Sequence, residues 1–367
     1  MISNKPTSIV IFLPNLLAGG AEETTLNLIN YLLRRNYKIH LIVATNQISD
    51  FYKIPEGINY INLNSNRLGT SFWRAWRTIK NLNPDLVFST LWYSNLLIII
   101  ICKFLNKYCI VREAGLDYRT GGSISNKMFK IFASLLYKKA DKVIAISESL
   151  NQNIQKELKV KNSNIVTIYN PVENFFDRKK LDYLDLKVYF NTTSANTYTA
   201  LSAIRFDEIK FSYNLFLAIK KIKEIDIRLL LIGDGHKKDK IKQFIHQNQI
   251  EDKIILLDWT DNIYSFINSC DLYISSSKFE GLGNAYVAAQ LLKRKCLSSN
   301  IPASNEINEI FKNGESFNDE VGDIMFKIVR AITHPELAEE LPTETIKMFS
   351  EEECFNKYHE IFSRVIK

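Results

Sequence analysis

Short apolar runs alternate with longer segments in which apolar residues recur every three or four positions. This predicts buried parallel strands, each followed by a covering helix. Residues 8–14 read as a strand, Ala18-Gly19-Gly20 as a turn, and 22–35 as a helix with Leu26, Ile29, Leu32 and Leu33 on one face; 38–44 is the next strand. Further short buried strands are expected at 85–89, 108–112, 142–146 and 165–168, the last meeting an Asn170-Pro171 turn. A charged and then polar stretch, 173–195, breaks the rhythm and is expected to join two domains. The alternation resumes with strands at 198–204, 228–232, 253–257, 271–276 and 295–298, helices at 211–223, 237–247, 262–269 and 284–292, and a terminal amphipathic helix at 351–366. Two facing doubly wound halves place ligands at the carboxyl ends of their strands, between the sheets.

A length of 367 residues exceeds the usual single core, in agreement with two domains. Residues 1–180 carry 24 Lys and Arg against 12 Asp and Glu, and the remainder 23 against 28. The first half is therefore basic, which fits either an anionic partner, such as a phospholipid surface or a lipid phosphate, or a merely solubilising surface. The basic residues are dispersed rather than gathered into a nucleic-acid-binding module, so no nucleic acid is expected. Five widely spaced cysteines in apolar sequence indicate buried thiols of a cytoplasmic protein rather than disulfides or a metal site. The chain begins without signal-peptide organisation, and its longest apolar run, 96–102, is too short to span a bilayer.

The most informative segment is Phe279-Glu280-Gly281-Leu282-Gly283-Asn284, where a glycine turn opens a helix directly after a strand. Such a turn aims backbone N–H groups and the positive end of a helix dipole at an anionic ligand. The segment resembles the donor-site signature of the family 4 retaining glycosyltransferases. Three other segments match that family in the same order: Leu17-Ala18-Gly19-Gly20-Ala21-Glu22; Ala145-Ile146-Ser147-Glu148 followed by Asn170-Pro171-Val172; and Ala203-Ile204-Arg205 with Lys210 and the Gly233-Asp234-Gly235 turn.

The resemblance implies a GT-B fold, α/β, with two facing Rossmann-like domains (1–172 and 196–349) and a C-terminal helix, 350–367, crossing back to the first. It implies transfer of a hexose-type or N-acetylhexosaminyl sugar from a nucleotide-diphosphate donor to a glycan or lipid-linked saccharide, with retention, in bacterial surface polysaccharide synthesis. A cytoplasmic location, peripheral at the inner membrane, goes with that role. Arg205 and Lys210 would stabilise the leaving diphosphate and Glu280 would position the sugar. Gly19, Gly20, Gly233, Gly281, Leu282, Gly283 and Asn284 would complete the donor site. Trp259 is placed either to stack on the base or in the core. Tyr93, Asn95, Arg112 and Glu113 are expected at the acceptor edge of the cleft. With no Asp-x-Asp motif after a strand, neither a metal nor another cofactor is expected. All five histidines fall at expected surface or helix positions, so a histidine base is not expected.

The sequence departs from the family at Ala288, where a second glutamate bonds the nucleotide ribose. Loss of such a bond costs about 1.5–3 kcal/mol, which implies altered nucleotide handling. A glutamate at 288, on the cleft-facing side of the helix, is expected to tighten donor binding. The alternative from another class is a non-catalytic, glycosyltransferase-like binding partner. A nicotinamide-dependent oxidoreductase is disfavoured because residues 17–21 lack the Gly-x-Gly-x-x-Gly spacing.

Overall fold

The computed structural model describes residues 6–17, 19–49, 53–115, 124–172, 181–207, 209–334 and 340–364. Ala18 of the first glycine turn and residues 173–180 of the expected linker lie outside them. The chain divides into two compact units, Met1–Pro171 with Glu351–Lys367, and Val172–Ser350.

The first unit runs β1 (Ser8–Leu13), α1 (Gly20–Leu33), β2 (Lys38–Thr45), β3 (Asn59–Ser65), α2 (Phe72–Leu82), β4 (Leu86–Thr90), α3 (Trp92–Leu105), β5 (Tyr108–Glu113), α4 (Ile124–Tyr137), β6 (Lys142–Ala145), α5 (Glu148–Leu158) and β7 (Ile165–Thr167). The strands form one parallel sheet in the order β3-β2-β1-β4-β5-β6-β7. The interior strand β1 has every residue buried, as a strand covered on both faces requires. β3 was not legible because its Asn59, Asn62 and Asn64 interrupt the apolar run at the sheet edge. His40, expected on the surface or a helix, lies instead in β2, 4% exposed, with its Nδ1 3.0 Å from Asn59 Nδ2. The run Leu96–Cys102 is the buried stripe of α3.

The second unit runs β8 (Thr197–Ala203), α6 (Tyr213–Lys221), β9 (Asp226–Ile232), α7 (Lys238–Gln247), β10 (Ile254–Leu257), α8 (Ile263–Ser269), β11 (Leu272–Ser275), α9 (Asn284–Leu291), β12 (Lys295–Ser299), α10 (Pro302–Phe311), β13 (Gly314–Phe317), α11 (Val321–Thr333) and α12 (Thr343–Lys347). Its six parallel strands are ordered β10-β9-β8-β11-β12-β13. The stretch expected as linker is, from Asp182 on, part of this unit. The backbone N–H groups of Asp182 and Leu184 donate to the Ser265 and Ser269 hydroxyls at 3.2 and 2.8 Å, and Leu186 is buried. Its polar composition hid a backbone tied to α8.

The last helix, α13 (Glu351–Arg364), returns to the first unit. Phe355, Tyr358 and Phe362 join the core of β1, β2 and β4, with the Phe88 ring 5.9 Å from Tyr358 and 5.6 Å from Phe362. Tyr37 Oη lies 2.8 Å from His359 Nδ1, and Arg34 pairs with Glu351 at 2.8 Å.

Candidate active site

In the second sheet the strand order reverses between β8 and β11, so the loops after these two strands leave from one switch point. Arg205 and Lys210 belong to the first loop and Glu280 to the second. The first loop is anchored by Phe206, fully buried, whose N–H donates to Asp234 O at 2.8 Å. This close approach explains the Gly233-Asp234-Gly235 turn. A Cβ on Gly233 would lie 1.8 Å from Ile204 O, and one on Gly235 would lie 2.5 Å from Phe206 O. Gly233 therefore holds the end of β9 against the loop that carries Arg205 and Lys210.

The two loops are stitched by backbone, Lys278 N–H donating to Ile209 O at 2.8 Å. Across this seam Lys210 Nζ donates to Glu280 Oε2 at 2.5 Å and to Phe279 O at 3.0 Å. The two side chains are 18% and 17% exposed, enclosed enough for the pair to be held yet open on one side. Ser277 Oγ completes the group, 2.8 Å from Glu280 Oε1 and 3.0 Å from Lys210 O. Ser277 was not found by sequence reasoning, although its place three residues before Glu280 was the available signal. Arg205 does not join this pair. It is 64% exposed and its Nε donates to Asp207 Oδ2 at 2.7 Å, so one loop carries an exposed cation and an enclosed one.

Beyond Glu280 the chain turns through Leu282, buried, and Gly283, whose φ of +83° is the left-handed region open to glycine. Gly283 caps α9, whose first turn holds no acidic side chain. Asn284 and its neighbours thus present a helix N-terminus suited to an anion. α9 is buried from Tyr286 through Leu291. Gln290 Nε2 donates to Asn308 Oδ1 at 3.2 Å, Tyr286 Oη donates to the same oxygen at 2.5 Å, and Asn308 reaches Ser298 and Ser316. A Cβ on Gly314 would fall 2.2 Å from Asn308 Oδ1, so glycine is what lets β13 close over this network. Ala288, expected to face the cleft, has no exposed surface; apolar neighbours Val287, Ala289 and Leu291 are equally buried. Trp259 is 47% exposed, so it does not belong to the core.

In the first unit Gly19 is the extended cap of α1 and its carbonyl accepts from Glu23 N–H at 3.1 Å; Gly20 begins the helix. The expected acceptor edge needs correction. Tyr93 is 52% exposed, but Asn95, Arg112 and Glu113 are interior, each at most 1% exposed. They lie at the adjoining ends of β4, β5 and α3, where the parallel sheet is covered by helices. Arg112 donates to Asn170 Oδ1 at 2.5 Å and to Thr90 Oγ1 at 3.2 Å; Asn95 Nδ2 donates to Glu113 Oε1 at 2.8 Å and to Arg112 O at 2.9 Å. Tyr137 Oη donates to the same Glu113 oxygen, and Glu113 Oε2 has no partner among the described residues.

Burial pushes the Glu113 carboxyl up to about 8, against the opposing pull of Asn95 and Arg112. A folded-state value above the usual 4.5 means that the native state holds this proton more tightly. The associated stability is complete below pH 4.5 and is lost as pH rises toward 8. Glu113→Gln, which keeps the acceptor oxygen, is expected to melt with wild type at pH 4.5 and progressively above it up to pH 8. A constant difference in melting temperature across that range would show that Glu113 is ionised in the fold.

The family profile for Glycosyltransferase Family 4 matches residues 18–174, and that for Glycosyl transferases group 1 matches residues 191–348. The chain is similar to the N-acetylgalactosamine-N,N'-diacetylbacillosaminyl-diphospho-undecaprenol 4-alpha-N-acetylgalactosaminyltransferase of Campylobacter jejuni, 26% identical over 76% of each chain. It is also 26% identical to the N-acetyl-alpha-D-glucosaminyl L-malate synthase of Bacillus anthracis, over 63% of this chain and 61% of that one. Among solved structures, a Rickettsia africae glycosyltransferase superposes with a TM-score of 0.77 over 99% of both chains at 21% identity. HepE of Anabaena in complex with UDP and glucose superposes with a TM-score of 0.79 at 16% identity, over 98% of this chain and 100% of that one. With both halves matched in order and the switch-point loops built as described, the chain belongs to the family 4 glycosyltransferases and has their two-domain α/β GT-B fold.

Proposed function

We propose that this glycosyltransferase moves a hexose-type or N-acetylhexosaminyl sugar from a nucleotide-diphosphate donor to a glycan or lipid-linked saccharide, with retention, in surface polysaccharide assembly. The observation that carries the reading is the Lys210–Glu280–Ser277 group at the switch point of the second sheet. The ammonium offers a fixed positive charge to a departing diphosphate, whose negative charge grows as its bond to the sugar breaks. Arg205, exposed and paired with Asp207, would turn onto the phosphates when the donor binds. Glu280, held by Lys210 and Ser277, orients the sugar hydroxyls and faces the positive charge that develops on the ring. In this reading the acceptor oxygen bonds to the anomeric carbon on the face the phosphate leaves, and the acceptor proton passes to the departing phosphate oxygen. No protein base and no metal takes part. The lipid-linked acceptor is supported by the diphospho-undecaprenol acceptor in the name of the Campylobacter relative.

The test is a thermal-shift panel of nucleotide diphosphates and nucleotide sugars, because a ligand that binds the folded state raises its melting temperature. One nucleotide diphosphate should stabilise the wild-type protein and lose its effect in Arg205→Ala, whose melting temperature without ligand should be unchanged. Transfer with the matching donor should survive chelator and give a product with the donor's anomeric configuration. A protein stabilised by no nucleotide, or a product of inverted configuration, would overturn the reading.

A further inference from the structure

We propose that Asn308, in α10 and outside the donor site, is the positioning residue that sets the affinity for the donor diphosphate. The inference deepens the nucleotide-diphosphate reading of the second unit and rests on it. α9 begins at the glycine turn, yet its own sequence does little to fix where it sits. Gly283 provides no side-chain cap, and the buried Val287-Ala288-Ala289 stretch presents small, smooth apolar side chains. Apolar contact is non-directional, so such a surface resists withdrawal into water more than it resists sliding or rotation. Direction comes from hydrogen bonds. The two buried polar side chains of α9, Tyr286 and Gln290, lie one turn apart on the same face. Both donate to Asn308 Oδ1, at 2.5 and 3.2 Å. Asn308 is held in turn by its Nδ2, which donates to Ser298 Oγ of β12 at 3.3 Å and to Ser316 Oγ of β13 at 3.1 Å. Ser316 Oγ passes its own proton to Asn305 Oδ1 at 2.5 Å. One amide thus uses both acceptor sites and both protons, and joins α9 to α10 and to two strands.

The same hold reaches the other switch-point loop. The Tyr286 ring lies 6.2 Å from the ring of Tyr273, buried in β11, whose hydroxyl meets the N–H and the carbonyl of Ala203 at 3.4 and 3.3 Å. Ala203 ends β8, just before Arg205, and Tyr286 itself stands in the first turn of α9, beside Asn284. A shift of Tyr286 is therefore felt at the start of α9 and at the root of the cationic loop. A binding constellation has to be held to within about 0.5 Å to keep its contacts, and Asn308 is what Tyr286 is tied to. Glu280 has a separate anchorage, to Lys210 and Ser277 across the loop seam. Loss of Asn308 should accordingly loosen the contacts made to the diphosphate while leaving the sugar-orienting carboxylate in place.

Calorimetric titration of the full chain with UDP, GDP, ADP and dTDP tests this. The nucleotide that binds the wild-type protein should bind Asn308→Ala about tenfold more weakly and Tyr286→Phe about threefold more weakly. With the matching nucleotide sugar, donor KM should rise by the same factors while kcat stays within about twofold of wild type and acceptor KM is unchanged. Thr199→Val removes an equally buried hydroxyl, bonded to Asp271 Oδ2 at 2.9 Å toward the other end of β8. That variant should lower the melting temperature without changing nucleotide affinity, which separates positioning from general stability. If Asn308→Ala does not fold, Tyr286→Phe decides, since it leaves Asn308 with its other bonds. Unchanged affinity in the folded variants, an equal loss in Thr199→Val, or a fall in kcat with no rise in donor KM would overturn the proposal and leave the donor reading standing. Wild-type protein that binds none of these nucleotides would overturn both.

Discussion

Lys210→Ala is expected to lower kcat/KM for sugar transfer by about a hundredfold to a thousandfold, the usual cost of removing one charge-stabilising donor. The side chain spans the seam between the two switch-point loops, bonding Glu280 Oε2 and Phe279 O, so its ammonium is positioned before any ligand arrives. Its removal takes a cation from the departing diphosphate and leaves the Glu280 carboxylate, 17% exposed, as an unpaired negative charge beside an anionic ligand. The two residues should therefore be coupled. The double variant Lys210→Ala with Glu280→Ala should lose less than the sum of the single losses, as groups in one ion pair do. Steady-state transfer with the donor found by thermal shift, together with melting temperatures, checks both statements. Transfer within threefold of wild type in Lys210→Ala would show that the diphosphate is held elsewhere.

Ala288→Glu is expected to destabilise the protein, lowering the melting temperature by on the order of 10 °C, because an unpaired carboxylate buried in a well-packed helix costs several kcal/mol. This reverses the expectation drawn from the family signature alone, in which a glutamate at this position tightens donor binding. The reason is burial: α9 is enclosed through Leu291, and Ala288 has no exposed surface. Thermal denaturation with and without nucleotide decides the matter. A variant that melts as wild type and gains nucleotide affinity would show that side chains at 288 reach the donor.

The alternating apolar runs determined two parallel sheets with covering helices, because a strand buried on both faces needs an unbroken apolar run and little else can use one. Glu280, Lys210 and Arg205 were singled out because the order of the four motifs matched one family, and the structure brings Lys210 and Glu280 together. The edge strand β3 and the segment from Asp182 were missed because their order depends on contacts made elsewhere, with β2 and with α8. Arg112 and Glu113 do end a strand, and Asn95 lies in the first turn of the helix after another, but such a position does not say whether a side chain faces solvent. Only the packing of α3, α4 and Asn170 around them made that polar group interior. Likewise, only the tertiary structure separated Lys210, locked onto Glu280, from Arg205, exposed on Asp207, although both are cations of one loop. Residue type and spacing determine which elements form and which chemistry is at hand. Burial and ion pairing are set between segments distant in the chain, so which side chains stay free to meet a ligand was decided in three dimensions.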